Sequence, residues 1–85
     1  MNLDKRTIRL IAIGASITAN CQPCLQINVT KALENGADAQ EIVEAVEVGK
    51  MVRQGAASKM DKFAASLNQA APPAAGPSTE GCGCK

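Results

Sequence analysis

Ile17-Thr18-Ala19-Asn20-Cys21-Gln22-Pro23-Cys24-Leu25 lies where one apolar run ends and an amphipathic segment, Leu25 to Asn35, begins. Pro23 has no N–H and a φ fixed near the helical value, so it suits the first turn of a helix. This junction predicts a helix, a short turn and a second helix, with both sulfurs at the second helix's N-terminus. Unpaired N–H groups and the helix dipole stabilise a thiolate at such a position. The thiolate is the species that attacks disulfides and binds soft metals. The chain has no His, so the CxxC pair reads as redox chemistry or soft-metal binding.

Outward from the junction, helical spacing continues in both directions. Helix one is expected from about Asp4 to Ala19. Ile8, Ile11, Ala12, Ala15 and Ala19 form one apolar stripe, and Leu10, Ile13 and Ile17 form a second. A helix apolar on two faces needs a partner on each. Helix two is expected from about Pro23 to Asn35, with Leu25, Val29, Ala32 and Leu33 inward and Gly36 just beyond its end. Asp38-Ala39-Gln40-Glu41 reads as a capping box opening helix three. Ile42, Val43, Val46 and Met51 form its inward stripe. Gly55 breaks the pattern, and helix four is expected from about Ala56 to Asn68, with Met60, Phe63, Ala64 and Leu67 apolar. Met51 and Met60 are expected in the core.

Composition agrees with an all-α class. The chain has 85 residues, and Phe63 is its one aromatic. The remaining apolar content is Ala, Ile, Val, Leu and Met, a palette suited to helices rather than sheets. A domain this short buries only about 60% of its unfolded surface, so the core is marginal. Nine basic and eight acidic residues leave almost no net charge. No basic patch interleaved with aromatics points to nucleic acid. Weak net charge also permits self-association.

The N-terminus imitates a signal peptide. Lys5 and Arg6 precede an apolar run and a cysteine follows. Asp4 and Arg9 interrupt that pattern, and Asn20 stands where a lipobox has a small residue. The run is too short to span a bilayer, so no membrane association is expected. A cytoplasmic location is expected, where CxxC is more often catalytic or metal-binding than structural.

From Ala70 the composition changes. Residues 1–69 read as a helical domain and 70–85 as a disordered Pro/Ala/Gly-rich tail ending in Gly81-Cys82-Gly83-Cys84-Lys85. Extended at ~3.1 Å per residue, the linker reaches ~30 Å, so Cys82 and Cys84 can visit Cys21 and Cys24. The favoured expectation is that no cofactor is bound. The alternative is four thiolates, Cys21, Cys24, Cys82 and Cys84, holding Zn²⁺, Cu(I), an Fe–S cluster or arsenite.

Leu3-Asp4-Lys5-Arg6-Thr7, the apolar helix, Asn20-Cys21-Gln22-Pro23-Cys24, Lys31-Ala32-Leu33-Glu34-Asn35-Gly36-Ala37 and Glu41-Ile42-Val43-Glu44-Ala45 together resemble the carboxymuconolactone decarboxylase / alkylhydroperoxidase D-like family. The resemblance covers about residues 3–67. It implies an all-helical, alkylhydroperoxidase D-like bundle of about four helices, assembled as a homo-oligomer, a trimer or hexamer. It also implies an antioxidant thiol–disulfide oxidoreductase or thiol-dependent hydroperoxidase with Cys21 and Cys24 catalytic. Its partners would be a thiol electron donor and a disulfide or peroxide substrate. Members that decarboxylate lack the cysteine pair. By analogy, Cys24 is the more deeply placed sulfur and meets peroxide, while Cys21 exchanges with the external reductant. Members that reduce peroxides carry a His four residues after the second Cys and a Glu about twelve before the first. Those positions here are Asn28 and, by an ungapped count, Arg9. Neither transfers protons near neutral pH. Exchange is therefore expected to persist and peroxide turnover to be poor.

Overall fold

Asp4, Asp38 and two tight turns set the helix boundaries. In the computed structural model of the chain, residues 1–70 are described. Helix α1 spans Lys5–Thr18, α2 spans Gln22–Glu34 and α3 spans Ala39–Ala70. Asp4 caps α1, its Oδ1 accepting from the Thr7 N–H at 2.8 Å. The capping box at α3 forms as expected: Asp38 Oδ1 accepts from the Glu41 N–H at 2.8 Å, and Glu41 Oε1 accepts from the Asp38 N–H at 3.2 Å. Glu41 also receives the Arg6 guanidinium, which ties the start of α3 to α1. That ion pair raises the Arg6 pKa above its ordinary value.

Both interhelical turns are Schellman closures. After α1, the Asn20 N–H donates to Ile17 O at 3.1 Å and the Cys21 N–H to Ser16 O at 3.0 Å. After α2, the Gly36 N–H donates to Leu33 O at 3.2 Å and the Ala37 N–H to Ala32 O at 2.9 Å. Asn20 and Gly36 occupy the left-handed positions these closures need, at φ 57° and 93°. Asn tolerates that region better than most residues and Gly enters it freely.

The all-α class holds, with one correction to the helix count. The break expected at Gly55 is absent, and α3 continues through it. An interior Gly costs only about 1 kcal/mol relative to Ala, too little to end a helix flanked by helix-forming residues. The described residues therefore contain three helices rather than four. Residues 1–55 form one compact unit, and a second begins at Ala56. The tail was expected from Ala70, which instead ends α3; from Ala71 onward it lies outside the described residues, as do Cys82 and Cys84.

The core of the first unit is small. Ile13, Ala32 and Ala37 are buried, and Leu10, Leu25, Val29, Ile42, Ala45 and Val46 pack against them. Helices α1 and α3 cross at glycines. A Cβ on Gly49 would lie 2.5 Å from Gly14 O and 2.8 Å from Ile17 Cβ. The Thr18 hydroxyl donates to both Gly14 O and Gly49 O across that crossing.

Several residues expected inside are outside. Met51 is 69% exposed and Met60 64%; Leu33, Val43, Phe63 and Leu67 are also exposed. Three helices offer too few faces to cover every apolar stripe. One face of α1 enters the core through Ile13. The other, carrying Ile11 and Ala15, lines an apolar groove of about 460 Å³ with Val48 and Val52 of α3. No described helix is long and apolar enough to cross a membrane.

Candidate functional site

The turn after α1 aims Cys21. Asn20 reverses the chain, and Cys21 adopts extended backbone (φ −107°, ψ 100°) as the N-cap of α2. Pro23 sits in the first turn, where its missing N–H leaves nothing unpaired. The Cys24 N–H donates to Cys21 Sγ at 3.3 Å. A sulfur thus takes the place of the usual Ser or Asp oxygen at this cap. Cys21 and Cys24 are joined as a disulfide, with their Cα atoms 5.3 Å apart.

Cys21 is half-buried and Cys24 is exposed. This is the reverse of the depths expected by analogy. The reason is local: the N-cap residue is folded back against the end of α1, whereas Cys24 occupies the outer side of the first turn of α2.

Arg9 and Asn28 come together. Arg9 Nη1 donates to Asn28 Oδ1 at 2.9 Å, and Asn28 Nδ2 donates to Cys24 O at 2.8 Å. The two residues counted from the motif by spacing therefore form one hydrogen-bonded chain from α1 to the cysteine helix. Its members cannot relay a proton. A guanidinium offers donors only, and an amide is neither a general acid nor a general base. Arg9 reaches the motif through Asn28.

Arg53 is the residue that sequence reasoning missed. Its Nη1 donates to Asn20 Oδ1 at 2.9 Å and to Ile17 O at 3.3 Å. It thereby braces the turn that presents Cys21. Arg53 and Cys21 line the same cleft, of about 200 Å³, with Ser16, Ile17, Asn20, Gln22 and Leu25. A signal was present in the sequence. Ile42, Val46, Gly49 and Arg53 follow 4-3-4 spacing, so Arg53 is a charge placed on the inward stripe of α3.

Among the described residues, no group of three or more His, Cys, Asp or Glu could hold a metal ion. A four-thiolate site would require Cys82 and Cys84 in addition to the pair at α2. The described part of the site therefore offers two sulfurs, the amides of Asn20, Gln22 and Asn28, and two guanidinium groups.

Fold and site define a small all-helical protein with a disulfide-bonded CxxC at a helix N-terminus. The chain belongs to the carboxymuconolactone decarboxylase family, whose profile matches residues 1–66. It is 40% identical over 55 residues to a Paracoccus denitrificans protein described as "Uncharacterized protein 4 in cox locus". That match covers 65% of this chain and 50% of the relative, so the chain spans about half the relative's length. No solved structure matches the chain.

Proposed function

We propose that the chain is a thiol–disulfide oxidoreductase whose exchanging groups are Cys21 and Cys24, with only weak thiol-dependent hydroperoxidase activity. The observation that carries this reading is the cap geometry, in which the Cys24 N–H donates to Cys21 Sγ at the start of α2. On reduction, the same N–H and the helix N-terminus favour a thiolate on Cys21. Membership of a family that includes thiol-dependent redox proteins agrees with it.

The reaction is a two-electron exchange. One cysteine thiolate attacks a substrate disulfide and releases one substrate thiolate. The second cysteine thiolate then attacks the mixed disulfide, releases the other, and leaves Cys21–Cys24 oxidised. A thiol electron donor regenerates the pair by the same steps in reverse.

Peroxide reduction asks for more. The oxygen leaving from the O–O bond must be protonated, and the Arg9–Asn28 chain supplies no proton carrier. General acid–base groups typically contribute ~10²–10⁴-fold, which sets the scale of the deficit.

The test is reduction of 5,5′-dithiobis(2-nitrobenzoate) by the reduced protein, with two nitrothiobenzoate ions released per Cys21–Cys24 pair oxidised. Cys21→Ser and Cys24→Ser should each abolish formation of that intramolecular disulfide. If both variants consume the reagent and re-form a disulfide at the wild-type rate, the exchanging pair lies elsewhere.

A further inference from the structure

The cleft beside Cys21 contains one charged group. Arg53 is partly buried there, and its two hydrogen-bond partners, Asn20 Oδ1 and Ile17 O, are neutral. Ion pairs among the described residues join Arg6 to Glu41, Lys31 to Glu34 and Lys50 to Glu47; none includes Arg53. Both recorded donations leave from Nη1, so Nε and Nη2 have no protein acceptor among the described residues. A guanidinium is a forked donor suited to a carboxylate. The other lining residues, Ser16, Ile17, Asn20, Gln22 and Leu25, bring no acidic group to repel one. Of the two sulfurs, only Cys21 belongs to the cysteine that lines this cleft.

We infer that the cleft recognises small thiols and disulfides that carry a carboxylate, with Arg53 binding the carboxylate and Cys21 Sγ as the sulfur exchanged. This deepens the exchange reading and rests on it. The cleft, at about 200 Å³, is smaller than a typical ligand pocket of ~300–1,000 Å³, which favours a short, low-molecular-weight substrate.

The step balances with the substrate as reductant. Its thiolate forms a bond to Cys21 Sγ, the Cys21–Cys24 bond breaks, and the electron pair leaves on Cys24 Sγ. Water protonates that thiolate according to pH. A second substrate thiolate attacks the substrate sulfur of the mixed disulfide. Cys21 leaves as a thiolate, and the substrate departs as its symmetrical disulfide. Two substrate thiols are oxidised and one protein disulfide is reduced.

The test uses the full oxidised chain and three probe thiols of similar size: 3-mercaptopropionate, 2-mercaptoethanol and cysteamine. Reduction of Cys21–Cys24 is followed by alkylation and mass, and rates are compared per thiolate to remove differences in thiol pKa. The wild type should favour the anionic probe over the neutral one by about tenfold, the scale of one charge-assisted contact in a partly exposed cleft. Cysteamine should be the slowest. Raising the salt to about 0.5 M should shrink the preference, because screening shortens the reach of the charge. Arg53→Gln should remove the preference, and Arg53→Lys should keep part of it.

An equal fall in all three rates in Arg53→Gln would assign Arg53 to bracing the Asn20 turn alone and would overturn the inference. So would a preference that survives Arg53→Gln. Equal wild-type rates for all three probes would overturn it while leaving the exchange reading standing. No reaction with any probe would remove both.

Discussion

At Cys21 a single residue serves two helices. Its N–H closes α1 onto Ser16 O, and its sulfur caps α2 through the Cys24 N–H. The second contact favours negative charge on Cys21, so its thiol in the reduced protein should titrate below the free-Cys value of about 8.5. Alkylation rate against pH, read separately for each cysteine by peptide mass, measures this. A Cys24 midpoint lower than that of Cys21 would contradict the assignment. Arg9 and Asn28 support a second prediction. They already touch at 2.9 Å, so a Glu and a His at those positions start within reach of each other. Arg9→Glu with Asn28→His should raise peroxide turnover by about an order of magnitude or more, the scale of a restored proton-transfer pair. A wild-type rate equal to that of the double variant would show that the pair is dispensable here. The positions of Arg9 and Asn28 were marked in the sequence through the family resemblance, by counting from the motif; that the two side chains meet was not, because a count along the chain fixes no contact. Arg53 was harder to find. It meets Asn20 across 33 positions of sequence, and only its placement on an inward stripe distinguishes it from a solvated Arg.

Among the elements, α3 carries the main departure from expectation and α1 the main constraint. The start of α3 was readable because a capping box is a local pattern with a local bond at each end. Its continuation past Gly55 was not, because one Gly weakens a helix without ending it. The Gly49 crossing was also hidden, since a glycine at a close approach has the same letter as one at a turn. Its consequence is testable. Gly49→Ala places a Cβ 2.5 Å from the Gly14 carbonyl oxygen, and backbone cannot move aside as a flexible side chain would. The variant should lose about 1–3 kcal/mol in denaturant unfolding despite the better helix propensity of Ala. A stabilised Gly49→Ala would mean that the helices do not approach this closely. The other end of α1 yields a pH prediction. Hydrogen bonds from Thr7, through its side chain first and then its backbone N–H, hold the Asp4 carboxyl below its ordinary pKa. A depressed folded-state pKa gives stability that is complete above the unfolded-state value and is lost as pH falls through the folded-state value. Asp4→Asn keeps a capping oxygen but does not titrate, so the acid limb of its helicity should be shallower than that of the wild type by circular dichroism. Identical acid limbs would remove Asp4 from the account.

At the scale of the molecule, the first unit has a buried side and an unfinished one. Its core rests on Ile13, Ala32 and Ala37, a small set even for a short chain. Beside it, Ile11, Val48 and Val52 are each more than half exposed and line one open apolar groove. The two apolar stripes of α1 were visible in the sequence. Which of them would enter the core was not, because both have helical spacing and the choice depends on how α2 and α3 fold back. We predict that a second copy of this chain covers the groove. The near-zero net charge offers little long-range repulsion to oppose that contact. Burying a Val or Ile side chain contributes roughly 1.5–3 kcal/mol, so a few such residues per copy matter greatly to a domain with so small a core. The intact protein should therefore sediment as a homo-oligomer at micromolar concentration, with the trimer or hexamer that the family resemblance implies as the expected species. Val48→Glu puts a charge into the groove without touching Ile13, Cys21 or Arg53. It should shift the species to monomer and lower the melting temperature, and the wild-type melting temperature should rise with protein concentration. A wild-type monomer with a concentration-independent melt would show that the groove stays open to solvent. The same result would mean that the three helices hold the Cys21 turn in place without a neighbour.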